Sequence, residues 1–257
     1  MTRRPAADPQ LFEASGLASG ISNPKLLYTL NDSGGLPTIY AIDHAGNIFG
    51  KIHLPGLKNR DWEDIATGTD PTSGKPCVYV GEIGDNAARY PSIFVYRFAE
   101  PVLQDTLVTV TAVDSLEITF EDGPRDCEAL FVDPRSGDIC LISKREEKVG
   151  VYLVRYPQAT DTVNIARKVA ELPYMWVTAA DISPNGKHIL VKTYTSINRY
   201  KRGRGESLAQ AFRKPFKAMP YQLEPQGEAV AWDRQGKGYF TLSERQDETP
   251  ADLFYYQ

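Results

Sequence analysis

Three glutamates occupy the same place in a short segment that recurs along this chain, and they are the residues best suited to do chemistry. The recurring segment begins at Ser15, Glu63, Glu128, Ala180 and Glu228, and a strand-like run follows each start. Carboxylates at one position of several repeats are expected to converge in space. Gathered carboxylates can hold a hard cation such as calcium, and one of them can act as a general base.

The candidate ligands of a divalent cation, calcium in the first place, are Glu63, Glu128, Asp181 and Glu228. Bare carboxylates in a partly buried channel repel one another, so something must compensate their charge. A bound cation is one way to compensate this charge. The other is a ring of internal ion pairs, for which Lys144, Lys192 and Arg145 are available.

The leading functional hypothesis is a metal-dependent hydrolase of an ester, a lactone or a phosphoester. The metal would polarise the bond and activate water, and Glu63 or Glu128 would act as the base. Lys144 and Lys192 are the candidate catalytic cations, and they also suit an anionic small-molecule substrate. The competing hypothesis is a protein without catalytic activity that binds a small ligand or a protein partner, because fold alone does not decide function.

Polar residues where the second strand of each repeat ends are the candidate substrate contacts. They are Asn31, Asp32, Glu82, Asp85, Asn86, Arg145 and Glu244. Asn and Asp also favour such turns for backbone reasons alone, which is the alternative interpretation. The sequence has no Gly-x-Ser-x-Gly segment, and its three histidines lie away from the inner positions, so no nucleophile is indicated.

The elements that must position these residues follow from the spacing of the repeats. Their starts lie between 48 and 65 residues apart, which is the length of a four-stranded propeller blade. We therefore expect an all-β, five-bladed β-propeller and a single domain over residues 1–257. A six-bladed ring is the alternative if the long segment Val102–Glu121 hides a degenerate blade.

The last repeat is too short for a fourth strand. We expect the N-terminal segment Gln10–Glu13 to complete the last blade and to close the ring, since an open ring would expose a sheet edge. Between Asn198 and Lys217 the pattern loses strand character, and Glu206–Arg213 is predicted to be a short helix.

Bulk properties exclude some partners. The net charge is −4 and the pI is about 5.5, so no overall positive field favours nucleic acid. No apolar run approaches the ~20 residues of a membrane span, and no signal peptide is recognisable. The expectation is a soluble monomer whose compartment stays open. Cys77, Cys127 and Cys140 fit no zinc motif and are predicted to be buried thiols.

Several segments together resemble a family of bacterial β-propeller proteins described as phytase-like or esterase-like. The segments are Asn31–Gly34, Asp61–Ala66, Gly81–Asn86, Asp126–Leu130, Asp181–Gly186 and Pro225–Ala229. The chain is more distantly similar to calcium-dependent propeller lactonases and phytases. That similarity implies a calcium site and hydrolytic activity, and its metal ligands can be compared only with Glu63, Glu128, Asp181 and Glu228.

Overall fold

The computed structural model describes residues 1–6, 8–245 and 251–257, and these residues are almost entirely β-structure. Their strands form five antiparallel meanders, which we number in chain order by their innermost strands. Meander 1 contains β2 (Ala14–Ser19), β3 (Leu26–Asn31), β4 (Thr38–Asp43) and β5 (Ile48–His53). Meander 2 contains β6 (Trp62–Thr69), β7 (Pro76–Glu82), β8 (Ile93–Ala99) and β10 (Asp114–Phe120).

The other three meanders repeat the pattern. Meander 3 contains β11 (Cys127–Val132), β12 (Ile139–Ser143), β13 (Gly150–Val154) and β14 (Asn164–Glu171). Meander 4 contains β15 (Val177–Ile182), β16 (His188–Thr193), β17 (Ile197–Lys201) and β18 (Lys217–Met219). Meander 5 contains β19 (Gly227–Trp232), β20 (Tyr239–Ser243), β21 (Ala251–Tyr256) and β1 (Thr2–Ala6).

The innermost strands β2, β6, β11, β15 and β19 lie next to one another in chain order, and β19 in turn contacts β2. Every residue of β2, β11 and β19 is buried. The buried apolar side chains form five clusters, each between two neighbouring meanders. Burial between meanders, as opposed to one central core, is therefore what holds the meanders together.

The N-terminal strand completes meander 5, but it is not the segment that the sequence indicates. β1 pairs antiparallel with β21, from Thr2 opposite Tyr255 to Ala6 opposite Ala251. The predicted strand Gln10–Glu13 is wrong in its position, because Leu11 inserts into the core between meanders 5 and 1. An apolar residue there contributes more by burial than by pairing at an exposed edge.

The long segment Val102–Glu121 supplies two outer strands. β9 (Leu107–Thr109) pairs parallel with β5 of meander 1, and β10 is the outermost strand of meander 2. β10 also pairs in parallel with β14, from Ile118 opposite Asn164 to Phe120 opposite Ala166. Meanders 2 and 3 are thereby joined into one sheet of eight strands.

The predicted short helix is present as α1 (Leu208–Phe212), with Ser207 as its N-cap and Gln210 completing a capping box. The predicted loss of strand character from residue 198 is wrong, because β17 continues to Lys201. The described residues contain no helix of the length and apolarity needed to cross a membrane. Cys77, Cys127 and Cys140 are buried free thiols, as predicted.

Candidate functional site

A β-bulge occurs at the repeat position of each of the three glutamates. The ladder register shifts around Glu63 in β6, around Glu128 in β11 and around Glu228 in β19. A bulge leaves one residue unpaired and turns its side chain out of the regular alternation. The three glutamates are 3%, 3% and 4% exposed.

The bulge also identifies the counterpart of these glutamates in meander 4. There the register shifts around Thr178, not at Ala180. The sequence pattern, which starts this repeat at Ala180, is therefore displaced by two residues from the structural alignment. In meander 1 the shift spans Ser15 to Ala18 and carries no acid.

A second set of side chains follows the second strand of each meander and lies beside the bulges. Asp32, Lys144 and Glu244 donate their backbone N–H groups to the carbonyls of Glu13, Asp126 and Gln226, at 2.9, 3.1 and 3.0 Å. In meander 2 the equivalent bond runs from Gly84 to Asp61 at 3.3 Å. We call the bulge residues, the four N–H donors just named and two side chains that lie against them, Asp61 and Tyr194, the axial cluster: Asp32, Asp61, Glu63, Gly84, Glu128, Lys144, Thr178, Tyr194, Glu228 and Glu244.

Two sets of carboxylates within the axial cluster could each hold a cation. One consists of Asp32, Asp61 and Glu63, the other of Asp32, Glu228 and Glu244, and the oxygens of each set lie within 4.8 Å of one another. Asp32 belongs to both sets. Carboxylate oxygens are hard ligands, so a site of this kind is expected to bind calcium in preference to softer metal ions.

Asp32, Glu63 and Glu244 of these sets hold protons unusually tightly. Burial and the neighbouring Asp61 raise the pKa of Asp32 to about 6. Burial and the adjacent Glu228 raise the pKa of Glu244 to about 9. Burial, followed by the Glu128 and Asp32 carboxylates, raises the pKa of Glu63 well above its ordinary value. The axial cluster thus has more negative charge than its own groups neutralise.

Part of that charge is compensated internally. Lys144 Nζ lies 2.8 Å from Glu128 Oε2, and both side chains are less than a tenth exposed. Burial alone would lower the pKa of Lys144, but the neighbouring Glu128 carboxylate raises it above its ordinary value. Tyr194 Oη donates to Glu228 Oε1 at 2.7 Å, and its ring lies 5.4 Å from Lys144 Nζ.

Gly84 makes room for the first carboxylate set. A Cβ atom at this position would lie 2.3 Å from Glu63 Oε1 and 2.4 Å from Asp61 Oδ2. No side chain fits there without displacing both carboxylates. The glycine therefore lets the backbone of meander 2 approach the set.

Asp181, a predicted metal ligand, is hydrogen bonded to backbone. Its Oδ1 accepts from Ile182 N at 2.7 Å and its Oδ2 from Trp232 N, on the next meander, at 2.6 Å. Asp64 makes the same bridge from Ile65 N to Leu130 N, at 2.8 Å each. Within the described chain, Asp181 is in neither set of gathered carboxylates. Its contacts join meanders 4 and 5.

Lys192, a candidate catalytic cation, is fully buried. Its Nζ donates to Gly227 O and, at 3.2 Å, to Thr193 O, and it lies 4.6 Å from the Tyr221 ring. Burial lowers the pKa of Lys192 to about 8, against the opposing effect of Glu224 and Glu228.

Most of the predicted substrate contacts hold loops in place. Glu82 accepts from Trp62 Nε1 at 3.0 Å and pairs with Arg60 Nε at 3.0 Å. Asp85 accepts from Arg89 N and Tyr90 N at 2.9 and 2.8 Å.

The remaining predicted contacts fall into two groups. Asn31 Nδ2 donates to Gln10 O at 2.8 Å, so this side chain too has a structural partner. Arg145 bridges Asn86 and Asp126. Only Asp32 and Glu244 of the predicted contacts belong to the carboxylate sets of the described residues.

Backbone strain is concentrated near the axial cluster. The non-glycine residues with positive φ in the described chain are Ala88, Trp176 and Gln226, at 49°, 61° and 46°. Trp176 and Gln226 each lie two residues before a bulge residue, and Ala88 lies in the loop after β7. Such conformations cost free energy and are common at binding sites.

The five meanders are arranged around inner strands that contact one another in chain order. This arrangement defines the class: an all-β protein with the β-propeller fold. No family model matches the chain, and no curated protein matches it. Among solved structures, the chain is similar to the Dos1 propeller, with 12% identity and a TM-score of 0.43. The match covers 90% of this chain and 55% of the other, so the chain spans about half the length of that structure.

The raised carboxyl pKa values predict a pH-dependent effect of one substitution in metal-free protein. Asp32 has a higher pKa in the folded chain than its ordinary value of 3.8, so its contribution to stability is full below pH 4 and is lost as the pH rises through 6. We expect Asp32→Asn to have no effect at pH 4 and to stabilise the protein by roughly 3 kcal/mol at pH 8. Urea unfolding in chelator at both pH values measures this, and equal effects at both would contradict it.

Proposed function

We propose that the five meanders are the blades of a closed five-bladed propeller that binds a divalent cation, calcium in the first place, in its axial cluster. The observation that supports this proposal is the pair of carboxylate sets sharing Asp32. Lys144 is the single cationic side chain in the axial cluster as defined above, so carboxylates outnumber cations there. A bound divalent ion would offset this excess without protonation.

We further propose that the site hydrolyses an ester, a lactone or a phosphoester. The cation would be held by Asp32 together with Glu228 and Glu244, which leaves Glu63 free to act as a base, and it would polarise the bond to be cleaved. Glu63 is the better of the two proposed bases, because Glu128 is already paired with Lys144. Lys144 and Tyr194 would then lie beside an anionic substrate.

The second candidate function is a binding propeller without catalysis. It is favoured by the ion pair of Lys144 with Glu128 and by the hydrogen bond of Tyr194 to Glu228, which neutralise part of the axial cluster internally. In that case the cation would hold a small ligand or a protein partner in place and no bond would be broken.

Cation binding is tested by calorimetry and thermal unfolding of chelator-treated protein at pH 8. We expect calcium to bind at micromolar concentration and to raise the Tm, because a ligand that binds only the folded state stabilises it. Asp32→Asn should raise the Tm of the metal-free protein and abolish the calcium-induced increase. Asp105→Asn, an exposed residue outside the axial cluster, is the control and should behave as wild type.

The hydrolase proposal is tested with a panel of lactones, aryl esters and phosphoesters in calcium. We expect turnover that Glu63→Gln reduces at least 100-fold, with calcium affinity changed much less. If calcium binds and no substrate of the panel turns over, the binding propeller is the better proposal. If no divalent cation binds, the cation site itself is wrong.

A further inference from the structure

A cavity lies between meanders 4 and 5. It is near the end of β19 that is farther from Glu228. It has a volume of about 220 Å³, and its walls include Met219, Pro220 and Tyr239. Trp232, the last residue of β19, lies in its lining, four residues beyond Glu228. At ~3.3 Å per residue this places the cavity ~13 Å from the bulge along the strand.

Two buried nitrogen atoms of the cavity lining have no hydrogen-bond partner among the described residues. They are Trp232 Nε1 and His188 Nδ1. The Trp232 side chain is well over nine-tenths buried, with 5% exposed. Buried donors without partners are rare because each costs the free energy of its lost hydrogen bond to water. An unpaired indole N–H in the cavity lining is therefore a candidate donor to an acceptor on a ligand.

The charges around the cavity favour an anionic acceptor. Arg199 and Lys237 contribute to its lining, and Lys201 lies opposite His188 in the β16–β17 ladder. In the described chain no Asp or Glu side chain lines it. The nearby acids are engaged elsewhere: Asp233, which follows Trp232, accepts from Gln235 N, Lys237 N and Tyr255 Oη, and Asp181 accepts from Ile182 N and Trp232 N.

His188 is neutral near pH 7 in the empty cavity. Burial, followed by Arg199, Lys201 and Lys187, lowers the pKa of His188 below its ordinary value. A neutral imidazole can still place one N–H toward an acceptor. The cavity thus combines two ring nitrogens with a guanidinium and an ammonium group, and its walls also include Gln257 and several apolar side chains.

We propose that this cavity is a binding site for a small oxyanion, a phosphate or a carboxylate group, with Trp232 Nε1 and Arg199 as its principal donors. Arg199 supplies the paired donors that match two oxygens of such a group. Met219, Pro220 and Tyr239 would contact the apolar body of an organic anion. This site is independent of the axial cluster and takes a ligand of the opposite charge.

The test follows the three indole N–H signals of ¹⁵N-labelled protein at pH 7 and constant ionic strength, assigned by Trp→Phe substitution. Inorganic phosphate and benzoate are titrated separately. We expect one of them to shift the Trp232 signal in a saturable way. Trp62 is the internal control, because its Nε1 already donates to Glu82 at 3.0 Å and should not respond.

Two substitutions distinguish specific anion binding in the cavity from a general electrostatic attraction of anions to the protein surface. Arg199→Gln should weaken the binding at least tenfold, whereas Arg213→Gln, an exposed arginine that does not line the cavity, should leave it unchanged. The anion with the lower half-saturation concentration identifies the class of ligand. The proposal is wrong if neither anion gives a saturable shift, or if Arg199→Gln has no more effect than Arg213→Gln.

Discussion

Lys144→Met is expected to destabilise the protein by about 3–5 kcal/mol at pH 8, the usual cost of leaving one partner of a buried ion pair uncompensated. Lys144 and Glu128 are 7% and 3% exposed, so water cannot replace the lost cation. Burial already raises the pKa of Glu128 to about 7 in spite of Lys144. Without Lys144 that pKa rises further, and the carboxyl becomes protonated at low pH. The loss should therefore be much smaller at pH 5 than at pH 8.

Two variants make this result specific. Lys168→Met removes an ion pair to Glu171 of similar length, 2.7 Å, on the surface, and should leave the Tm unchanged. Lys144→Met combined with Glu128→Leu replaces the buried pair by apolar groups and should recover most of the stability. Urea unfolding at the two pH values measures all three. Equal losses for the Lys144 and Lys168 variants would show that the axial ion pair has no special role.

Deletion of residues 1–6 is expected to lower the Tm by roughly 10 °C, since a loss of a few kcal/mol shifts a chain of this size by about that much. The deletion removes the whole β1–β21 ladder and the buried side chain of Ala6. It also exposes the edge of β21, whose Leu253 and Phe254 are almost fully buried. An exposed apolar edge favours association between chains. We therefore expect aggregation that increases with protein concentration.

The deletion has a control and a rescue. Arg3→Gln removes the exposed ion pair to Asp252 while keeping the strand, and it should leave the Tm unchanged. A synthetic peptide of residues 1–9, added in excess to the shortened chain, should restore part of the Tm because it binds only the folded state. Thermal unfolding by circular dichroism measures each case. An unchanged Tm on deletion would mean that β1 contributes little to closing meander 5.

The repeat with its glutamates could be read from the sequence because Glu63, Glu128 and Glu228 each lie in an apolar inner strand, where an acid is conspicuous. Asp181 aligns with Asp64 in the sequence for a physical reason. Like Asp64 it precedes an isoleucine and binds the backbone of the next meander, so the two repeats align on it. A shift of two residues keeps every side chain on its face of a strand, and alternation therefore cannot reveal the error.

Asp61, Asp32 and Glu244 illustrate the limit of pattern reading at the site. Asp32 and Glu244 follow the second strands of two meanders and Asp61 precedes the first strand of a third, and only the geometry shows that their oxygens gather in sets around Asp32. β1 escaped notice because Thr2–Ala6 contains two arginines and a proline. An outermost strand tolerates such residues, since one of its edges faces solvent.

The pairing of β1 with β21 also has a consequence for synthesis in the cell. β1 leaves the ribosome ahead of every other strand described here, and its partner follows only after about 250 residues. At ~5–20 residues per second the wait is roughly 12–50 s. Meanders 2 and 3 can meanwhile form their common eight-stranded sheet, because both are made midway along the chain. The arginines of β1 help to keep the waiting strand solvated until β21 arrives.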